Sequence, residues 1–179
     1  MNKVVTITSL AWMCGFAVTS SGHAADFSAD SLGVRYGFFV NGSRGDFRQA
    51  EVYSNWKLPW VWNISTNWSL ATRLDLSAGA LQKHPDVGFV GTAGPSVVLA
   101  RQGLPFALVG GVSPTVLSRY QFGATDFGVP FQFTSHLGIS WRPGSHFELA
   151  YHFQHMSNAS LSEHNPGLNL HMLGIGYRF

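Results

Sequence analysis

The chain has 179 residues, of which 11% are charged and 14% aromatic, and its formal net charge is +2. A charge content below half the ~25% of ordinary globular domains argues against a soluble surface, and the small, scattered positive balance excludes an electrostatic platform for nucleic acid. The single cysteine, Cys14, lies in a segment expected to be removed, so the mature chain should have no disulfide framework, thiol nucleophile or Cys-ligated metal.

In chain order, Met1–Lys3 is a short positive start, Val4–Val18 is largely apolar, and Gly22-His23-Ala24 offers small residues before a cleavage point. This pattern predicts a secretory signal peptide over 1–24, leaving 25–179 as one domain. A membrane anchor is the alternative reading, but the apolar core is shorter than the ~20 residues that a spanning helix needs.

No later stretch is an unbroken apolar block; apolar residues fall instead on alternate positions, the period of a strand. The alternation predicts eight strands, roughly 31–40, 47–58, 66–79, 87–100, 105–117, 127–141, 146–157 and 169–179. Turn-forming stretches such as "NGSRGD", "QKHPD", "RQGLP" and "RPGS" separate them. The clearest strand is "WSLATRLDLSAG", with Trp68, Leu70, Thr72, Leu74, Leu76 and Ala78 on one face and Ser69, Ala71, Arg73, Asp75 and Ser77 on the other. Few charges, many aromatics and strands of about ten residues fit an all-β fold, an eight-stranded antiparallel transmembrane β-barrel of the bacterial outer membrane. A soluble lipocalin-like barrel has the same periodicity with its apolar face turned inward.

Within a membrane barrel, Arg73, Asp75 and Glu148 are expected to pack the polar interior. Trp56, Trp60, Trp62 and Trp68 are expected in an interfacial aromatic girdle. Lys57 and Arg119 are placed near the outer rim, where they could attract phosphates or serve as ordinary surface charges. External loops are expected after the second, fourth and sixth strands.

With both termini on the periplasmic side, the seventh strand runs outward and ends in "YHFQHMSNAS" near the outer leaflet. Parity puts Phe147, Leu149, Tyr151 and Phe153 towards lipid and His146, Glu148, His152 and Gln154 inside, so His155 and Ser157 project from the outer wall. If Ser157 pairs with Asn169, His155 stands opposite His171. A Ser two residues from a His can act as nucleophile and general base. Asn169 could orient the imidazole, while Asn158 and the backbone amides after Ser157 could hold an oxyanion. Of the eight His residues, only His155 and His171 have the parity to share a metal, and no metal is expected there.

The stretch "HMSNASLSEHNPGLN", with "YRF" closing the chain, resembles the C-terminal part of the PagL-type lipid A 3-O-deacylases. Their pattern is His-x-Ser-Asn-Ala followed by Asn-(Pro or Asp)-Gly and an acidic or amide residue. The resemblance implies an outer-membrane esterase that removes the 3-O-linked hydroxyacyl chain of lipid A, without a cofactor. It implies Ser157 as nucleophile, His155 as general base and Asn158 at the oxyanion. Asn169 stands where other members carry Glu or Asp, which implies lower activity; Glu163 is the alternative orienter. The competing readings are a structural or adhesive barrel without catalysis and a lipid A acyltransferase.

Overall fold

The computed structural model describes residues 27–39 and 47–179, so the expected signal peptide and the "NGSRGD" turn lie outside the described residues. Eight long strands form the wall: β1 Ser28–Phe38, β2 Arg48–Asn63, β3 Trp68–Lys83, β4 Asp86–Arg101, β5 Phe106–Leu117, β8 Phe131–Trp141, β9 Phe147–Ser157 and β10 Leu168–Arg178. A short hairpin, β6 Gln121–Phe122 and β7 Thr125–Asp126, stands between β5 and β8. Neighbours pair antiparallel in the order β1-β10-β9-β8-β5-β4-β3-β2, and β1 meets β2 to close the barrel. Closure leaves no unpaired edge, the condition for a sheet to sit in hydrocarbon.

Alternation decides which face each residue takes. Leu32, Val34, Tyr36, Leu137, Ile139, Leu149, Tyr151, Phe153, Leu173 and Ile175 are exposed on the outside, an inversion of the soluble barrel. The inside is filled in three layers. Near the termini, Asp30 faces Lys57 at 3.5 Å and Arg178 at 3.7 Å. At mid-height, Arg35 pairs with Glu51 at 2.8 Å and Arg73 with Asp75 at 2.6 Å, while Arg142, from the turn after β8, pairs with Glu148 at 2.8 Å. The opposite end is stoppered by an apolar cluster that includes Phe47, Leu81, Phe122, Phe127, Met156, Leu170 and Met172. The interior is therefore packed, as an eight-stranded barrel is narrow enough for side chains to fill.

The polar interior follows the sequence expectation for Arg73, Asp75 and Glu148, all buried. His146 departs from it: it lies in the turn before β9, exposed, stacked on Tyr177. Aromatics gather on the outside at the end near the termini, where Phe27 stacks on Trp56 and Phe106 on Trp141. Trp60 and Trp68 are exposed there as well.

Two expectations about the ends are corrected. Segments 64–67, 102–105 and 142–146, after β2, β4 and β8, are short turns at the end near the termini; the longer 118–130 and 158–167 follow outward-running strands. Strand direction settles this, because every even crossing of an up-and-down barrel returns to the starting side. Lys57 is likewise at the terminal end beside Asp30, not at the outer rim, and Arg119 is held by Asp86 at 2.8 Å.

Candidate active site

The end of β9 carries apolar side chains outward as far as Phe153, and then the same face continues with His155 and Ser157. Both belong to the outer parity, while Met156 and Asn158 turn inward and are buried. The register across to β10 sets His155 opposite Asn169 and Phe153 opposite His171. Pairing of Ser157 with Asn169 is thus overturned by a shift of two residues, which keeps every face and changes every partner.

The shift brings the imidazole and the amide into contact. His155 Nδ1 lies 2.7 Å from Asn169 Oδ1. An amide oxygen only accepts, so Nδ1–H donates and Nε2 is left with its lone pair free for a proton. Gly167, at φ +65°, sits over the other edge of the ring: a Cβ there would be 3.1 Å from His155 Cε1 and 3.8 Å from Nε2. The ring is held from one side by Asn169 and is overlaid by bare glycine backbone. Ser157 is half-buried one step further up the strand. Among the described residues no hydrogen bond joins its hydroxyl to His155, a looseness common before substrate binds.

After Ser157 the chain reverses at once. Ala159 and Ser160 both take left-handed backbone, φ 51° and 66°, and Leu161 N–H donates to Asn158 O at 3.0 Å. This is a type I′ turn with side chains at both positions that normally ask for Gly or Asn. Each left-handed residue costs roughly 1–2 kcal/mol, so packing around the turn must hold it.

Asn158 does the holding. It is fully buried, and its Nδ2 donates to Phe127 O at 3.0 Å and to His164 O at 2.7 Å. Its backbone N–H donates to Asn165 Oδ1 at 3.1 Å. Both amide hydrogens are therefore committed to carbonyls, and the side chain has none to offer an oxyanion. Asn158 thus clamps segments 118–130 and 158–167 together. The amides of Ala159 and Ser160 have no protein acceptor among the described residues.

Among the described residues no hydrogen bond or ion pair joins Glu163 to His155. Glu163 is exposed and lines a groove with Ala124, Thr125, Asp126 and His164. The Gly128 amide and the Gln121 side chain hold the Asp126 carboxyl in that groove below its ordinary range. His171, one rung below His155, is turned to Tyr151, with its Nδ1 2.7 Å from Tyr151 Oη. Among the described residues no cluster of three metal-ligating side chains forms. Asn165 and Gly167 belong to the Asn-Pro-Gly of the sequence motif and receive no role from the sequence alone, though "NPG" at 165–167 signals a turn with a left-handed glycine.

Residues 48–178 match the family model "Lipid A 3-O-deacylase (PagL)". The chain is 30% identical over 148 residues to the lipid A deacylase PagL of Bordetella bronchiseptica, covering 75% of this chain and 79% of that one. It is also similar in fold to the solved structure of the outer membrane enzyme PagL, with a TM-score of 0.67 at 17% identity over 85% of this chain and 98% of that one.

Proposed function

The chain belongs to the lipid A 3-O-deacylase (PagL) family of ester hydrolases, and from that premise we propose that Ser157, His155 and Asn169 cleave the 3-O-ester of lipid A at the lipid-facing outer wall. The observation that carries the reading is the 2.7 Å contact of His155 Nδ1 with Asn169 Oδ1 on the same outer face as Ser157. A substrate dissolved in water would rarely meet that face, whereas a lipid in the outer leaflet lies against it.

The chemistry follows from the tautomer. With Nδ1–H donated to Asn169, His155 Nε2 takes the proton of Ser157 as Oγ attacks the ester carbonyl. The free amides of Ala159 and Ser160 are the nearest backbone donors in sequence for the oxyanion. Collapse breaks the bond to the glucosamine oxygen, which receives the proton from His155, and the acyl group stays on Ser157. Water then attacks the acyl-enzyme with His155 again as base, releasing the hydroxy fatty acid and restoring the Ser157 hydroxyl. The side chains named supply both proton transfers, so the scheme calls for no metal.

The test is the mass spectrum of lipid A after incubation with refolded protein in detergent containing EDTA. Wild type should remove one hydroxyacyl chain, and Ser157→Ala and His155→Ala should each lower the rate by at least about 10³-fold. A folded Ser157→Ala variant that still deacylates would refute the nucleophile. A product heavier by one acyl chain would mean an acyltransferase.

A further inference from the structure

A second polar pair interrupts the apolar wall beneath the site. His171 is two residues along β10 from Asn169, so it lies about 7 Å deeper at 3.3–3.4 Å per residue. Its register partner is Phe153, but its Nδ1 reaches diagonally to Tyr151 Oη at 2.7 Å. The imidazole is enclosed by rings: Phe38 at 6.0 Å on one side, Phe153 edge-on at 5.5 Å and Tyr151 at 5.9 Å. Immediately below come Tyr36, Leu173 and Ile139, all apolar or aromatic and exposed.

The pair cannot satisfy itself. If Tyr151 O–H donates to Nδ1, His171 carries its hydrogen on Nε2 and that N–H has no acceptor. If Nδ1–H donates to the phenol oxygen, the phenol hydrogen and the Nε2 lone pair are left over. No other protein group among the described residues takes up the remainder. An unpaired polar atom against hydrocarbon is costly, and phenylalanine at either position would avoid that cost. The spare valence therefore suits a hydrogen-bonding group that arrives with the lipid.

Resting on the proposed ester hydrolysis, we infer that Tyr151 and His171 form a specificity subsite that hydrogen-bonds the hydroxyl of a hydroxylated acyl chain as that chain runs from Ser157 down the outer wall. The pair lies on the same outer face, one rung below His155 and Asn169 and two below Ser157, on the path of an acyl chain that runs down the wall from the ester. A groove lined by Ile139, Trp141, Leu149, Tyr151 and Leu173 continues from the Tyr151 ring and offers only apolar contact to the rest of the chain. Ordinary acyl chains lack the hydroxyl and would leave the pair unsatisfied, so the subsite selects against them.

The experiment compares two synthetic glucosamine 3-O-esters of equal chain length in detergent micelles, one with a hydroxyl on the third acyl carbon and one without. Wild type should prefer the hydroxylated ester in kcat/KM by about five- to tenfold, the worth of one hydrogen bond. Tyr151→Phe and His171→Phe, which keep an aromatic ring in the cluster, should bring that ratio towards one. An unchanged ratio in both variants overturns the inference, even if both rates fall together. Wild type inactive on both esters, or a Ser157→Ala variant as active as wild type, would instead overturn the hydrolytic reading on which it rests.

Discussion

Replacing Asn169 by Asp changes one atom of the site and tests what the orienting residue does. Asp has the size and shape of Asn, so the 2.7 Å contact with His155 Nδ1 is preserved, and Asn169 is exposed at the rim, so the new carboxylate keeps much of its hydration. A hydrogen bond between neutral groups contributes about 0.5–1.5 kcal/mol, and one to a charged group about 1.5–3. The difference appears when His155 becomes an imidazolium, that is, in the transition state. A gain of about 1–1.5 kcal/mol there is close to tenfold in kcat. Release of hydroxy fatty acid from lipid A in micelles, with folding checked by heat-modifiability on gels, should show Asn169→Asp about tenfold faster than wild type and Asn169→Ala slower than wild type by about 10²-fold. A folded Asn169→Asp barrel turning over at the wild-type rate would refute the view that residue 169 stabilises the charged ring.

Three further outcomes follow from the geometry around that pair. Gly167→Ala places a Cβ 3.1 Å from His155 Cε1 on left-handed backbone; it should cost about 1–2 kcal/mol in stability and lower kcat more than it raises KM, in steady-state kinetics on micelles. Asn158→Ala orphans the carbonyls of Phe127 and His164; at roughly 1–3 kcal/mol for a buried polar group left unpaired, segment 158–167 should become sensitive to limited proteolysis while the barrel stays folded. Glu163→Gln removes a charge from the groove shared with Asp126 and should leave the deacylation rate within about twofold, as expected of a surface substitution.

Much of this protein is written in the period of its sequence. Alternation with period two located all eight wall strands to within a few residues and gave the correct face to Phe153, His155, His152 and Gln154. Which face a residue takes depends only on its own strand, so one chain suffices to read it. The rung does not: a shift of two residues leaves parity intact, and the register between β9 and β10 is fixed by the ten residues 158–167 folding around Asn158. The same limit explains Asn158 and Lys57. The amide of Asn158 is consumed by Phe127, thirty-one positions earlier, and Lys57 is placed by strand direction beside Asp30.

The sequence by itself determined the barrel, its outward apolar face and the candidate pair Ser157 and His155, because composition, period and a local motif are properties of consecutive residues. Tertiary structure alone decided that Asn169, not Glu163, meets His155, that Asn158 clamps two segments, and that Tyr151 and His171 share a hydrogen bond on the wall. Each of those contacts joins groups far apart in the chain, and their partners are set by register and loop closure, which no local pattern encodes.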